Sequence, residues 1–385
     1  MPQQPIVPGD GVFVGRARLP GQSHPRIVTV MPDGVFDITS RVAPTVRDIC
    51  EMRDPAGYVQ RAEAEFVGTL DDIAGNSWPE RHDETRASLL SPVDLQAVKA
   101  AGVTFVVSLL ERVIEEHAWG DKAKADALRH EISTLIGADL SRLVPGSDAA
   151  MEIKKALIAR GMWSQYLEVG IGPDAEIFTK CQPMASVGFG ADVGIHPISS
   201  WNNPEPEVAI VVASDGRIVG ATLGNDVNLR DVEGRSALLL GKAKDNNASA
   251  ALGPFVRLFD GEFTLDTVKQ AEVTLHVSGP DGFVLHGSSS MARISRSPEA
   301  LASAALGAHH QYPDGMVLYL GTMFAPVEDR DAPGGGFTHK IGDVVSISTP
   351  ALGMLSNTVR HTTACAPWHY GASQLMRDLS KAGLL

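Results

Sequence analysis

The sequence predicts a β-rich α+β fold, and three observations carry that prediction. Short apolar runs of strand length recur from residue 178 to residue 355 (VAIVVA, IVGATLG, AEVTLHVSG, MVLYLG, VVSIST), each bounded by Gly, Asp, Asn or Pro. The 38 Gly and 24 Pro among 385 residues supply the many turns that such strands require. Helical spacing is confined to a few stretches in the first half of the chain.

In chain order, residues 11–45 read as strands GVFVGRARL, RIVTVM and VFDIT, the last two joined by the turn Pro32-Asp33-Gly34. Residues 52–88 are polar without a sustained period and read as a connecting region. A boundary near residue 90 divides the chain into a small β-rich N-terminal unit with its connector, 1–89, and a larger unit, 90–385. The larger unit opens with DLQAVKAAG and VTFVVSLLERVIEEHAW, at helical or buried-segment spacing. The helical stretch DKAKADALRHEISTLIG follows, and then a helix capped by Ser147 and closed by Gly161.

Composition excludes several function classes. With 44% hydrophobic and 21% charged residues the chain is globular. Its net charge of −13, without any basic block, speaks against a nucleic-acid or anionic-membrane partner, since both need a positive footprint. Cys50, Cys181 and Cys365 are isolated and odd in number, which fits a reducing compartment and offers no CxxC metal site. The N-terminus shows no basic start followed by an apolar run, and no apolar stretch nears the roughly 18 residues that cross a bilayer. A soluble, cytoplasmic protein is expected.

The chemistry concentrates in residues 201–231, WNNPEPEVAIVVASDGRIVGATLGNDVNLRD. Glu205 and Glu207 are two apart and run into a strand, so both point to one face. A hairpin turn centred between Asp215 and Gly216 pairs residues whose numbers sum to 431, which sets Asp226 opposite Glu205. Three carboxylates then share one face of a strand pair that is otherwise apolar on both sides. Buried together they repel unless a cation joins them. An all-oxygen donor set favours Mg²⁺ or Mn²⁺ over Zn²⁺, whereas a solvated acidic strand end is the alternative.

These residues resemble the fumarylacetoacetate hydrolase superfamily: Glu205 and Glu207, then Gly224-Asn225-Asp226-Val227 with Arg230-Asp231, Lys242 with Asp245 ahead of Leu252-Gly253-Pro254, and Gly321-Thr322 after a strand. The resemblance runs from about residue 90 to the C-terminus. It implies a mixed β-sandwich roll with a smaller N-terminal domain, and Mg²⁺ (Mn²⁺ also fitting) held by Glu205, Glu207 and Asp226. The segments SPVDLQAVKAAGVTF, WSQYLEVGIGPDAEIFTK, GRSALLLGKAKDNNASAALGPF and HQYPDGMVLYLGTMFAPVEDRD are similar to the branch of 2-keto-3-deoxy-D-pentonate dehydratases of oxidative pentose pathways. That likeness implies conversion of 2-keto-3-deoxy-D-arabinonate, the same compound as 2-keto-3-deoxy-D-xylonate, to 2-oxoglutarate semialdehyde and water. It also suggests a homodimer or homotetramer acting on a small 2-keto-3-deoxy sugar acid.

Hydrolytic members carry G-x-N-Y-x-x-H-x-x-E, whose His and Glu activate water. Here Gly102 is followed by Ser108 at the His position and then by Glu111. Without the imidazole, C–C hydrolysis is disfavoured and Glu111 remains as the expected base. The resemblance further assigns Lys242 as the active-site cation. It gives substrate contacts to Ser108, Lys180, Asp245, Ser290, Gly321 and Thr322, with Lys180 alternatively orienting a carboxylate and Ser289 and Met291 as weaker neighbours of Ser290. Competing readings are another superfamily reaction on a 2-oxo acid, such as acylpyruvate hydrolysis or oxaloacetate decarboxylation, and a non-catalytic protein that binds metal and oxo acid. Gly188, Gly190 and Gly194 form GxGxxxG, one residue longer than the dinucleotide fingerprint and without βαβ context, so a loop is expected there.

Overall fold

The computed structural model describes residues 4–105, 127, 130, 143–324, 326, 328–331 and 336–385. The expected strands β1 (Phe13–Arg18), β2 (Arg26–Met31) and β3 (Gly34–Asp37) form, followed by β4 (Glu65–Gly68), β5 (Ser88–Leu89), β6 (Ala97–Gly102), β7 (Glu176–Cys181) and β8 (Asp192–Ile195). Then come β9 (Pro206–Val212), β10 (Ile218–Asp226), β11 (Ala250–Leu258), β12 (Glu272–Ser278), β13 (Val284–Ser290), β14 (Met316–Tyr319), β15 (Val344–Thr349) and β16 (Gly353–His361). Eleven strands make one mixed sheet in the order β4-β3-β2-β1-β11-β10-β9-β14-β6-β7, with β5 on β1; the other five form β13-β12-β15-β16-β8.

Period-two burial explains how the sheets stack. Val208, Ile210 and Val212 of β9 share one core with Val273, Leu275 and Val277 of β12 and Ile347 of β15, so that face packs against the five-stranded sheet. Ala209, Val211 and Ala213 face the other way into a second core with Tyr319, Val46, Ile49 and Val59. The two sheets remain open, a sandwich of the predicted β-rich α+β class.

The N-terminal residues extend the same sheet: β1 pairs with β11 through Phe13↔Arg257 and Val14↔Val256. Asp94 receives the N–H groups of Val46 and Arg47 at 2.7 and 3.0 Å, capping the helix Val46–Glu51 from beyond residue 90. Residues 52–88 are not a bare connector. Asp54 and Thr69 cap the helices Pro55–Arg61 and Leu70–Gly75, signals that outweigh the missing period. Residues 97–102, left open between helix and buried segment, are the strand β6, whose ladders with β14 and β7 decide for extension. Ser147 caps the helix Asp148–Ala159 as expected. Among the described residues no helix is long and apolar enough to cross a membrane.

Candidate metal centre

The β9–β10 hairpin brings the three carboxylates together with the predicted register. Gly224 lies opposite Glu207, Asn225 opposite Pro206, and the Asp226 N–H donates to the Glu205 carbonyl at 3.1 Å. Near the turn two departures cancel. Ala213 N–H bonds Arg217 O at 2.9 Å across a three-residue loop, and the bulge between Ile218 and Gly220 restores the sum of 431. Gly216, at φ +89, takes the left-handed position of that loop.

One carboxylate oxygen from each of Glu205, Glu207 and Asp226 lies within 4.8 Å of the other two, and all three residues are buried. Two lysines neutralise part of this charge. Lys180 Nζ sits 2.7 Å from Asp226 Oδ1, and Lys244 Nζ lies 2.5 Å from Glu205 Oε2 and 3.2 Å from Asp226 Oδ2. Burial pushes the Asp226 carboxyl up, but Lys180 and Lys244 together draw it below its ordinary value. Burial would likewise strip the Lys244 proton, yet Asp226 and Glu205 hold it well above the ordinary lysine value.

Glu207 is left over. Its Oε2 accepts the Gly321 N–H at 2.7 Å, while its Oε1 is buried without a hydrogen-bond partner. Burial first, then Asp226 and Glu205, raise its carboxyl well above the ordinary range. An orphaned carboxylate oxygen beside two other carboxylates, in an all-oxygen donor set, fits a hard divalent cation.

Buried amides hold the triad. Asn225 Oδ1 accepts the Glu205 N–H at 3.1 Å, and Asn228 Nδ2 donates to Glu205 Oε1 at 2.9 Å and Glu233 Oε2 at 2.5 Å. The strand β7 contributes the other side of the site. Glu176, Phe178 and Lys180 alternate along it, and the Phe178 ring centroid is 5.7 Å from Lys244 Nζ. Burial, with Glu233 next, pushes the Glu176 carboxyl up to about 7.

The expected site residues divide. Glu205, Glu207, Asp226, Lys180 and Gly321 come together. Lys180 has no exposed surface and also donates to Val227 O and Lys244 O, at 3.0 and 2.5 Å, so it orients Asp226 rather than reaching outward. Lys242 does not join them: it is exposed, its Nζ 3.2 Å from His196 Nε2, and the buried cation is Lys244. In the short helix Leu240–Lys244, residues two apart point about 200° apart, so only one of the two lysines can face the carboxylates. Asp245 lies just past that helix and is exposed. Thr322 turns its hydroxyl onto Phe324 O at 3.0 Å. Ser290 accepts the Ala292 N–H at the start of a 3₁₀ turn, on the edge strand of the smaller sheet. Ser108 and Glu111 lie outside the described residues. Glu176, Lys244, Asn225 and Asn228 were missed; the period of two back from Lys180 leads directly to Glu176.

Comparison with known proteins agrees with this arrangement. Residues 172–360 match the fumarylacetoacetate hydrolase C-terminal family. A probable 2-keto-3-deoxyxylonate dehydratase of Haloferax volcanii is 25% identical over 337 residues, 87% of this chain and 95% of the relative. A 2-dehydro-3-deoxy-D-arabinonate dehydratase of Saccharolobus solfataricus is 30% identical over 188 residues, 48% of this chain and 58% of its own length. Among solved structures, a 2-keto-3-deoxy-D-arabinonate dehydratase complexed with magnesium and 2,5-dioxopentanoate superposes with a TM-score of 0.62 at 19% identity, covering 91% of this chain and 99% of that one. Its apo form superposes equally well. Residues 172–360, which contain the three carboxylates and both buried lysines, are thus a fumarylacetoacetate hydrolase family domain.

Proposed function

We propose that the protein is a Mg²⁺-dependent hydro-lyase that converts 2-keto-3-deoxy-D-arabinonate (2-keto-3-deoxy-D-xylonate) to 2-oxoglutarate semialdehyde and water. The observation that carries this reading is the buried Glu205, Glu207 and Asp226 triad in a chain that aligns along 95% of a relative named for that activity. The three carboxylates hold Mg²⁺, with Mn²⁺ as the substitute. When bound there, the cation supplies Lewis acidity that polarises a 2-oxo acid and acidifies its C3 protons.

The chain's own residues do the rest. Lys180 and Asn228 fix Asp226 and Glu205 in place. Lys244 puts a permanent positive charge against the substrate's carboxylate end, where enolate charge develops. Glu176, with its carboxyl at about 7, moves the proton: it accepts one from C3 and returns one to the departing C4 hydroxyl, which leaves as water. The 2-oxo-3-ene acid that remains loses a proton from C5 and gains one at C3, which gives the C4=C5 enol, and protonation of that enol at C4 with loss of its hydroxyl proton yields the C5 aldehyde. Gly321 steadies Glu207 through its N–H, and Thr322 beside it receives the substrate carboxylate after its hydroxyl turns from Phe324. In the same reading residues 1–89 form an accessory unit ahead of the catalytic residues 90–385, and the enzyme works in the cytoplasm as a homodimer or homotetramer.

The test is incubation of the purified protein with 2-keto-3-deoxy-D-arabinonate and Mg²⁺, coupled to an aldehyde dehydrogenase and its nicotinamide cofactor. Cofactor reduction that requires the protein, the cation and the sugar acid is expected. Absence of an oxidisable product at any concentration of protein sinks the reading.

A further inference from the structure

We propose that Gly102 is a positioning residue, whose missing side chain leaves the space across which the Glu176 carboxyl is held in the site. This rests on the reading of Glu176 as the group that moves the proton. Gly102 closes β6 and stands directly opposite Glu176, the first residue of β7. A side chain at such a position ordinarily meets its cross-strand neighbour. Here the neighbour has folded over the bare backbone instead. A Cβ added to Gly102 falls 1.9 Å from Glu176 Oε2, 2.5 Å from Cδ and 3.2 Å from Cγ.

Two features separate this from a glycine kept for the backbone. Gly102 is not among the glycines with positive φ, so alanine is conformationally allowed there. The three atoms nearest its Cβ position all belong to the Glu176 side chain, which can swing aside without moving backbone. Gly321, two strands from Glu176, differs on the first count, with φ +97 and an added Cβ 2.2 Å from Thr104 Oγ1. The effect of Gly102→Ala therefore falls on the place of one carboxyl and not on the fold.

The row across the sheet gives that place its meaning. β14 runs parallel to β6 with Tyr319↔Ala100, and antiparallel to β9 with Tyr319↔Ala209. β9, β14, β6 and β7 are neighbours in that order, and Gly321, just past β14, gives its N–H to Glu207 Oε2 at 2.7 Å. The carboxyl that folds over Gly102 therefore lies on β7, in the sheet that carries Glu207 on β9. To regain an ordinary contact of 3.4 Å from an alanine Cβ, Oε2 must shift by about 1.5 Å. Displacements of that order cost roughly 10²-fold in rate.

The experiment compares wild type, Gly102→Ala, Glu176→Asp and the double variant in steady-state dehydration, with Mn²⁺ affinity and thermal midpoint measured on each. Gly102→Ala is expected to lower kcat by roughly 10²-fold, with KM, Mn²⁺ affinity and thermal midpoint close to wild type. In the Glu176→Asp background, where the shorter side chain no longer lies over residue 102, the same substitution is expected to change kcat by less than about threefold. Wild-type kcat in Gly102→Ala, or an equal loss in both backgrounds, overturns the inference. If instead Glu176→Gln keeps wild-type kcat, it is the assignment of Glu176 that fails, and the role of Gly102 falls with it.

Discussion

Replacing Lys244 by methionine separates the structural assignment of the active-site cation from the sequence-based one. The side chain is buried and its ammonium lies 2.5 Å from Glu205 and 3.2 Å from Asp226. In the metal-free protein, three carboxylates are balanced by Lys180 and Lys244; without Lys244 one ammonium faces three carboxyl groups. Breaking a buried pair from one side costs about 3–5 kcal/mol. At roughly 2 °C per kcal/mol for a chain of this size, the thermal midpoint in EDTA should fall by about 6–10 °C. A divalent cation restores the missing charge, so Mg²⁺ should raise the midpoint of Lys244→Met by more than it raises wild type. Turnover should fall by about 10²–10³-fold, the usual loss when one preorganised donor is removed. Lys242→Met, altering an exposed side chain, should leave both midpoint and kcat close to wild type. Differential scanning fluorimetry with and without Mg²⁺, together with steady-state rates, reads all of these. An inactive Lys242→Met beside an active Lys244→Met would refute the assignment.

Other expectations follow from the same geometry. Glu176 keeps its proton to about pH 7 in the fold against about 4.5 unfolded, so its contribution to stability is present below 4.5 and lost as pH rises through 7. Urea titrations in EDTA should show wild type losing about 3 kcal/mol relative to Glu176→Gln across that window; parallel pH profiles would contradict the burial of this carboxyl. Glu207→Gln removes the carboxylate whose Oε1 has no partner, so the metal-free midpoint should not fall while the Mn²⁺-dependent rise disappears. A retained Mn²⁺ shift would remove Glu207 from the ligand set. Arg330→Met strips the partner from fully buried Asp343, held at 2.6 and 2.7 Å, and should cost about 3–5 kcal/mol in urea without changing Mn²⁺ affinity. A loss of Mn²⁺ affinity equal to the loss of stability would tie that pair to the metal centre.

The hairpin was legible because a strand has a period of two and a short turn fixes its register, so one sum placed Asp226 beside Glu205 even though a longer loop and a bulge intervene. The choice between Lys242 and Lys244 was not legible. Two lysines two apart on one helical turn face opposite ways, and only the packing of that turn against β7 decides which is buried. Glu176 was missed for a related reason: EIFTK was read for its lysine, while the raised carboxyl comes from burial and from Glu233, which is distant in sequence. Residues 52–88 hid their helices because short capped helices lack the length for a visible period, although Asp54 and Thr69 already marked their starts.

The measurement that bears most directly on the account is ¹³C NMR of the purified protein turning over labelled 2-keto-3-deoxy-D-arabinonate, with Mg²⁺ and again with EDTA. The account predicts loss of the C4 carbinol signal and growth of a C5 aldehyde or its hydrate, with all five carbons kept in one molecule, and no change in EDTA or with Glu205→Ala. Cleavage into pyruvate and a two-carbon fragment, or the same product at the same rate in EDTA, would contradict it.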